Sequence, residues 1–307
     1  MRFALPVTEA EDIQPLLEAG AAEFYCGYLD GEWACRWGDH DSASRRQGTA
    51  NVADRQSLCQ IAATAGQAGA PIWLALNSCY SPPQYPYLLA LAKDWAKAGG
   101  SGLILRDLAL LRQVKALVPP LRLSLSLLAV GANSAALRFF QSLGADRVVL
   151  PRFLSPARLQ PMLAQVPGLE YEAMVLDDGC PLIDGYCRGI HGMGYACRDD
   201  GAPATLTIAS HDISGSGHHL CQELGRKPNE PPACAACSLP ALAAAGISVG
   251  KFGGRGLPLA ARLEKLDFLR SALALATDSQ RRDLYQSRFG PCNCYYPPAA
   301  AERQALT

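Results

Sequence analysis

Short, nearly continuous apolar runs alternate along this chain with longer stretches whose apolar residues recur every three to four positions. The first rhythm fits a strand buried on both faces, and the second fits an amphipathic helix. Eight strands are predicted, at about 2–7, 23–27, 71–76, 102–105, 121–127, 147–150, 170–176 and 247–252. Helices are predicted between most of them, at 8–19, 53–68, 84–98, 107–117, 133–143, 155–165 and 236–245, with a further amphipathic helix at 257–277. One phrase joins the two rhythms: a helix ending in Ala/Leu-Gly, a short turn, then an apolar strand. It occurs as LEAGAAEFYC (17–26), AGQAGAPIWLAL (65–76), AKAGGSGLIL (96–105), QSLGADRVVL (141–150) and LAAAGISVGKF (242–252). Glycine suits the end of each helix because a left-handed residue there costs it little. Alternating βα units predict an α/β protein, a (β/α)8 TIM-like barrel in regular or distorted form; a doubly wound open sheet fits the same alternation. The expected organisation is one barrel domain over 1–280, with a cysteine-rich insertion at 177–245 between strands seven and eight and a C-terminal tail over 281–307.

Composition narrows the partners. Hydrophobic residues make up 49%, charged residues 18%, and the formal net charge is zero. That gives no electrostatic footprint for nucleic acid or anionic membrane. No apolar run reaches the roughly 20 residues of a membrane span. The start, MRFALPVTEAEDI, turns acidic at once and lacks a signal peptide's apolar stretch, so a cytoplasmic location is expected. Stable disulfides are rare in that compartment, yet the chain holds 12 cysteines. Four fall in the first 176 residues, six between Cys180 and Cys237, and two at Cys292 and Cys294. Such clustering points to metal or redox chemistry for the middle group.

Barrel active sites lie on the loops after the strands' C-terminal ends. Cys26 and Gly27, Asn77, Arg106, Ser126, Arg152, Lys251 and Arg255 occupy those positions. Of these, Asn77, Arg106, Ser126, Arg152, Lys251 and Arg255 are the expected substrate-binding residues. Several basic and amide groups around one rim suit a small anionic substrate, since arginine grips carboxylate through two parallel bonds. The plainer alternative is that each residue simply ends a strand at the solvent boundary.

The stretch from Asp177 to Ala245 is too long for a plain connection inside a compact domain. Zinc sites usually pair short knuckles, whereas this stretch has one, Cys234-x2-Cys237, facing wide spacings at Cys180/Cys187 and Cys187/Cys197. Wide spacings suit a four-iron cluster, which can take cysteines from separate loops. Zinc stays open as the alternative, with His191, His211, His218 and His219 as candidate nitrogen donors or ordinary loop residues. Six clustered thiols are a poor signature for a single nucleophile. Neither HExxH nor GxSxG occurs, and Glu172 and Asp177 have no evident partner for an acid dyad.

Three segments resemble the collagenase-like peptidase family U32, which includes proteins of oxygen-independent ubiquinone hydroxylation. EAMVLDDGCPLIDGYC carries the family signature through Glu172, Cys180, Gly185 and Cys187, but has Asp177 and Asp178 where the family usually has glycine and a small residue. LPALAAAGISVGKFGGR (239–255) is similar through Lys251, Gly254 and Arg255, with Gly253 in place of a common glutamate. SLSLLAVGANSAALRFFQSLGADRVVLPR (124–152) is similar through Ser126, Asn133 and Arg152, and is followed by Phe153 instead of an acidic residue. The resemblance implies a [4Fe-4S] cluster on Cys180, Cys187, Cys197 and one of Cys234 or Cys237, with register favouring Cys234. It implies hydroxylation of a small or aromatic, carboxylate-bearing substrate, with prephenate as a candidate oxygen donor and a second family member as a candidate subunit. Proteolysis and a non-catalytic, metal-bearing subunit are the rival readings. Cys35 lies in the N-terminal region, from which some relatives draw one ligand. Cys292 and Cys294 are either a tail contact or exposed thiols, and Cys221 has no assigned role.

Overall fold

A computed structural model of the chain describes residues 1–37, 44, 50–177, 185 and 231–296. Eight parallel strands follow one another around a closed barrel. They are β1 (Arg2–Pro6), β2 (Glu23–Gly27), β3 (Ile72–Leu76), β4 (Gly102–Leu105), β5 (Arg122–Leu125), β6 (Arg147–Val149), β7 (Glu170–Leu176) and β8 (Val249–Phe252). β8 pairs back on β1, with Arg2 opposite Val249 and Ala4 opposite Lys251. That closure removes the open-sheet alternative.

The helices between the strands are α1 (Ile13–Glu18), α2 (Gly31–Trp37), α3 (Arg55–Gln67), α4 (Tyr85–Lys97), α5 (Leu108–Leu117), α6 (Ser134–Ser142), α7 (Pro156–Leu163) and α8 (Leu239–Ala244). Each of the five glycines in the repeated phrase, at 20, 69, 99, 144 and 246, has φ between 68° and 101°. The shared local phrase is thus a shared backbone turn that feeds helix into strand.

Strand residues split by parity, as the pleat requires. Phe24, Leu74, Leu103, Leu123, Val148 and Val175 face outward into the main core beneath the helices. Tyr25, Trp73, Ala75 and Ile104 form a separate cluster inside the barrel. Helix α2 has no counterpart in the periodicity. Asp30 caps it by accepting from the Trp33 N–H at 2.8 Å, and Trp33 packs on Trp37 and Tyr87 with centroids 4.5 and 5.5 Å away.

Past β8 the chain forms α9 (Leu259–Ala274) and α10 (Asp278–Phe289). Thr277 and Gln280 start α10 with a reciprocal capping box, so residue 281 falls inside a helix. Tyr285 and Phe289 of α10 contact the Phe268 ring at 5.9 and 5.0 Å. The chain then lies along Cys234, whose N–H donates to the Asn293 carbonyl at 2.8 Å while Tyr295 N–H donates to the Cys234 carbonyl at 2.9 Å.

Candidate functional site

Five of the six expected substrate-binding residues stand just past the C-terminal ends of their strands, around one mouth of the barrel. Asn77 follows β3 and is half-buried. Arg106 follows β4 and donates to the Gly185 carbonyl at 2.9 Å. Ser126 follows β5 and accepts from the Leu128 N–H at 3.3 Å, capping a single 3-10 turn over Leu127–Ala129. Arg152 follows β6, with its guanidinium 6.0 Å from the centre of the Tyr295 ring. Arg255 follows β8 and donates to the Ser44 hydroxyl at 3.1 Å. It lies so close over the end of β2 that a Cβ on Gly27 would sit 2.0 Å from its Nη1.

Lys251 is placed differently: it points into the barrel. Its ammonium donates to Glu172 Oε1 at 2.8 Å and lies 4.1 Å from the centre of the Tyr25 ring. The other Glu172 oxygen accepts from Arg147 at 3.0 Å. Arg147 also grips both oxygens of Glu23, at 3.1 and 2.9 Å, and stacks 4.3 Å from the Trp73 ring. Its Nε donates to Glu170 at 2.7 Å. A chain of alternating charges therefore runs through the barrel, from Glu23 and Arg147 at the strands' N-terminal ends to Lys251 near the mouth. Burial alone would push the Glu172 carboxyl up, but the charges of Lys251 and Arg147 outweigh it and hold that carboxyl below the usual range. No local pattern in the sequence links Glu172 to the RVVL segment that carries Arg147. The available signal was a charged residue at an inward position of an otherwise apolar strand.

Both described ends of the insertion are fastened beside the end of β7. The N–H of Asp177 donates to the Ala233 carbonyl at 2.8 Å, and the N–H of Ala235 donates to the Val175 carbonyl at 2.9 Å. Asp177 adopts φ 59°, which explains why glycine suits that position in the signature. Here its carboxylate accepts two bonds from Lys265 on α9, at 2.7 and 2.6 Å. Gly185 is the other signature residue described. A Cβ there would meet Val130 Cγ2 at 2.1 Å and the Leu128 carbonyl oxygen at 2.6 Å, so only glycine fits against the turn that follows β5.

Of the expected metal ligands, Cys234 and Cys237 are described. Cys180, Cys187 and Cys197 lie outside the described residues, as do Cys221, His191, His211, His218 and His219. Cys234 bridges Leu176 on one side and Cys294 on the other. Burial pushes its thiol up to about 12, so without a positive charge nearby it stays protonated. Cys237, Cys292 and Cys294 line the same small cleft, together with Arg281, Arg282 and Tyr285. The tail is thus part of the thiol site. Cys35 is exposed on α2. Cys26 is fully buried at the end of β2, and burial likewise pushes it up to about 12, which leaves it a small hydrophobe. A donor set of several thiols, on segments that meet where the insertion leaves the barrel, suits zinc or an iron–sulfur cluster.

These features define a (β/α)8 barrel with a polar C-terminal mouth and thiols at its edge. Residues 8–288 match the model of peptidase family U32, and the chain belongs to that family. A stretch of 117 residues is 33% identical to tRNA hydroxylation protein P of Escherichia coli (strain K12), covering 38% of this chain and 25% of that protein. The match therefore spans a quarter of that relative's length. Among solved structures, the U32 peptidase Mk0906 aligns at 12% identity and a TM-score of 0.49, over 83% of this chain and 93% of that one. A 2,3-dimethylmalate lyase aligns at 12% identity and a TM-score of 0.47, over 100% and 92%. No described helix is long and apolar enough to cross a membrane.

Proposed function

We propose that this chain is an iron–sulfur protein of hydroxylase-like function that binds a small or aromatic, carboxylate-bearing substrate at the barrel mouth. The observation that carries this reading is the meeting, at the end of β7, of the insertion's two ends with Cys234, beside a rim bearing Arg106, Arg152 and Arg255. The match to a tRNA hydroxylation protein supports hydroxylation as the class of reaction. The zero net charge favours a small substrate over tRNA. Cys180, Cys187, Cys197 and one of Cys234 or Cys237 would hold a [4Fe-4S] cluster, which would supply redox or Lewis-acid function when bound.

The chain's own residues have separate tasks in this reading. The rim guanidiniums hold the substrate's carboxylates; the Arg106 bond to Gly185 uses one of that side chain's five N–H donors. Lys251 and Arg147 keep Glu172 ionised and fixed, which makes it a poor acid for a protease dyad. Asp177 is committed to Lys265 in the same way.

Anaerobically purified or reconstituted protein should contain about four iron and four sulfide per chain and give a paramagnetic signal on reduction. Cys180→Ser and Cys187→Ser should each abolish both. Protein free of sulfide after anaerobic reconstitution refutes the cluster. For the reaction, hydroxylated aromatic metabolites and hydroxylated tRNA nucleosides are compared between parent and deletion strains grown without oxygen. Loss confined to nucleosides moves the substrate to tRNA, and no loss in either pool sinks hydroxylation.

A further inference from the structure

The C-terminal tail does more than lie along Cys234, because its described end reaches Arg152 at the barrel mouth. We propose that Tyr295 of the tail and Arg152 of the barrel form one subsite, which selects a carboxylate carried on an aromatic ring.

Four bonds hold the tail in that place. Cys234 N–H donates to the Asn293 carbonyl, and Tyr295 N–H donates back to the Cys234 carbonyl. Asn293 Nδ2 donates to the Pro231 carbonyl at 2.9 Å, and the Tyr285 hydroxyl donates to the Pro232 carbonyl. The stretch around Cys234 is itself fixed to the end of β7 through Ala233 and Ala235. Tyr296 is buried in the main core, which locks the residue after Tyr295. The tail is therefore anchored to the barrel as a fixed wall.

That wall presents Tyr295 half-buried, with its ring centre 6.0 Å from the Arg152 guanidinium. Burial pushes the neighbouring Tyr296 hydroxyl up, and the Arg152 charge opposes that push. The guanidinium thus stands near both tail rings. A separate observation three residues further on points to a ligand. Ser155 precedes α7, where a serine commonly caps the helix, yet its side chain makes no capping bond. It is 5% exposed, and its Oγ has no hydrogen-bond partner among the described residues. Buried hydroxyls are seldom left unpaired.

A bound aryl carboxylate meets these needs together. Its carboxylate takes two parallel N–H bonds from Arg152 and accepts from the Ser155 hydroxyl. Its ring lies against Tyr295, so an aromatic acid gains where a saturated acid of the same size does not. Cys234 keeps its place as a candidate cluster ligand, and its backbone pairing with the tail would set the subsite beside the cluster. That the bound acid is the molecule hydroxylated rests on the proposed function; the subsite itself does not.

The test titrates the anaerobically purified full chain with benzoate and with cyclohexanecarboxylate, followed by ligand-observed NMR. Benzoate should bind the parent about threefold to tenfold more tightly. Tyr295→Phe should keep that preference and Tyr295→Leu should erase it, with iron and sulfide content parental in both. Arg152→Leu should weaken both acids about tenfold or more. Tryptic cleavage after Arg288 gives a readout that needs no variant. Benzoate at ten times its Kd should slow that cleavage about tenfold, because the acid binds only the docked tail. Equal affinity for the two acids in the parent, a preference that survives Tyr295→Leu, or cleavage unaffected by benzoate would each overturn the proposal. A parent that shows all these effects but forms no cluster fails the proposed function and leaves the subsite standing.

Discussion

Glu172→Gln isolates the energetics of the charge chain inside the barrel. The substitution preserves shape and removes the negative charge between Lys251 and Arg147, which approach its two oxygens at 2.8 and 3.0 Å. Arg147 keeps Glu23 and Glu170 as partners. Lys251 loses its carboxylate while remaining 8% exposed, with the Tyr25 face still against its ammonium. Removing one partner of a buried pair costs about 3–5 kcal/mol, because the other charge is left uncompensated. The Tyr25 contact is present in both proteins and cancels in the difference, so a loss of about 3–5 kcal/mol is expected. For a chain of this length the unfolding entropy is about 0.6 kcal/mol/K near the melting point, so Tm should fall by about 5–8 °C. Lys251→Met should cost a similar amount, whereas the double variant should cost clearly less than the two single losses combined. Urea and thermal melts of the four proteins provide the measurement. A Glu172→Gln Tm within about 1 °C of the parent, or single losses that add to within about 0.5 kcal/mol, would refute a coupled buried pair.

The same carboxylate sets a pH dependence. Its folded pKa is depressed, since Lys251 and Arg147 overcome the effect of burial. The stability it contributes is therefore full above the unfolded glutamate value of about 4.3 and is lost as pH falls from there toward the folded pKa. The Tm gap between parent and Glu172→Gln should narrow below about pH 4; a gap constant from pH 7 to pH 3 would count against the pairing. Gly185→Ala would drive a methyl into the Leu128 carbonyl, so the segment should shift and its bond to Arg106 should break. Protease cleavage within 178–230 should then accelerate and iron retention fall, and parental behaviour in both would show that the close approach does not exist. Lys265→Met removes the cation from Asp177, which is 1% exposed, and should cost about 3 kcal/mol by chemical denaturation. Adding Asp177→Gly should recover part of that loss, because glycine tolerates the left-handed backbone there; a double variant no more stable than Lys265→Met would reject this account.

The barrel was legible because its signals are local. Each Ala/Leu-Gly turn couples a helix end to a buried strand within about ten residues, and the observed strands lie within two residues of their predicted limits. The rim residues followed from strand ends alone. Helix α2 was not legible, since Asp30, Trp33 and Tyr87 stabilise it through contacts that cross from β2 to α4. Lys251 was read as a rim residue because its position in sequence shows the end of a strand but not the direction of its side chain. The pairing with Glu172, 79 residues earlier, decides that direction.

The sequence by itself determined the order and kind of the elements, the apolar faces of the strands, and the two groups of cysteines. Periodicity and turn chemistry act over a few residues, so they can be read without knowing the fold. Only the tertiary structure decided that Glu23, Arg147, Glu172 and Lys251 form one line of charge, and that the tail reaches Cys234. Closing the barrel brings inward positions on β2, β6, β7 and β8 to a common axis, and the cost of leaving any of those charges unpaired there fixes their partners. Packing of α10 against α9 then carries Cys292 and Cys294 to the edge of β7, a meeting that no local pattern encodes.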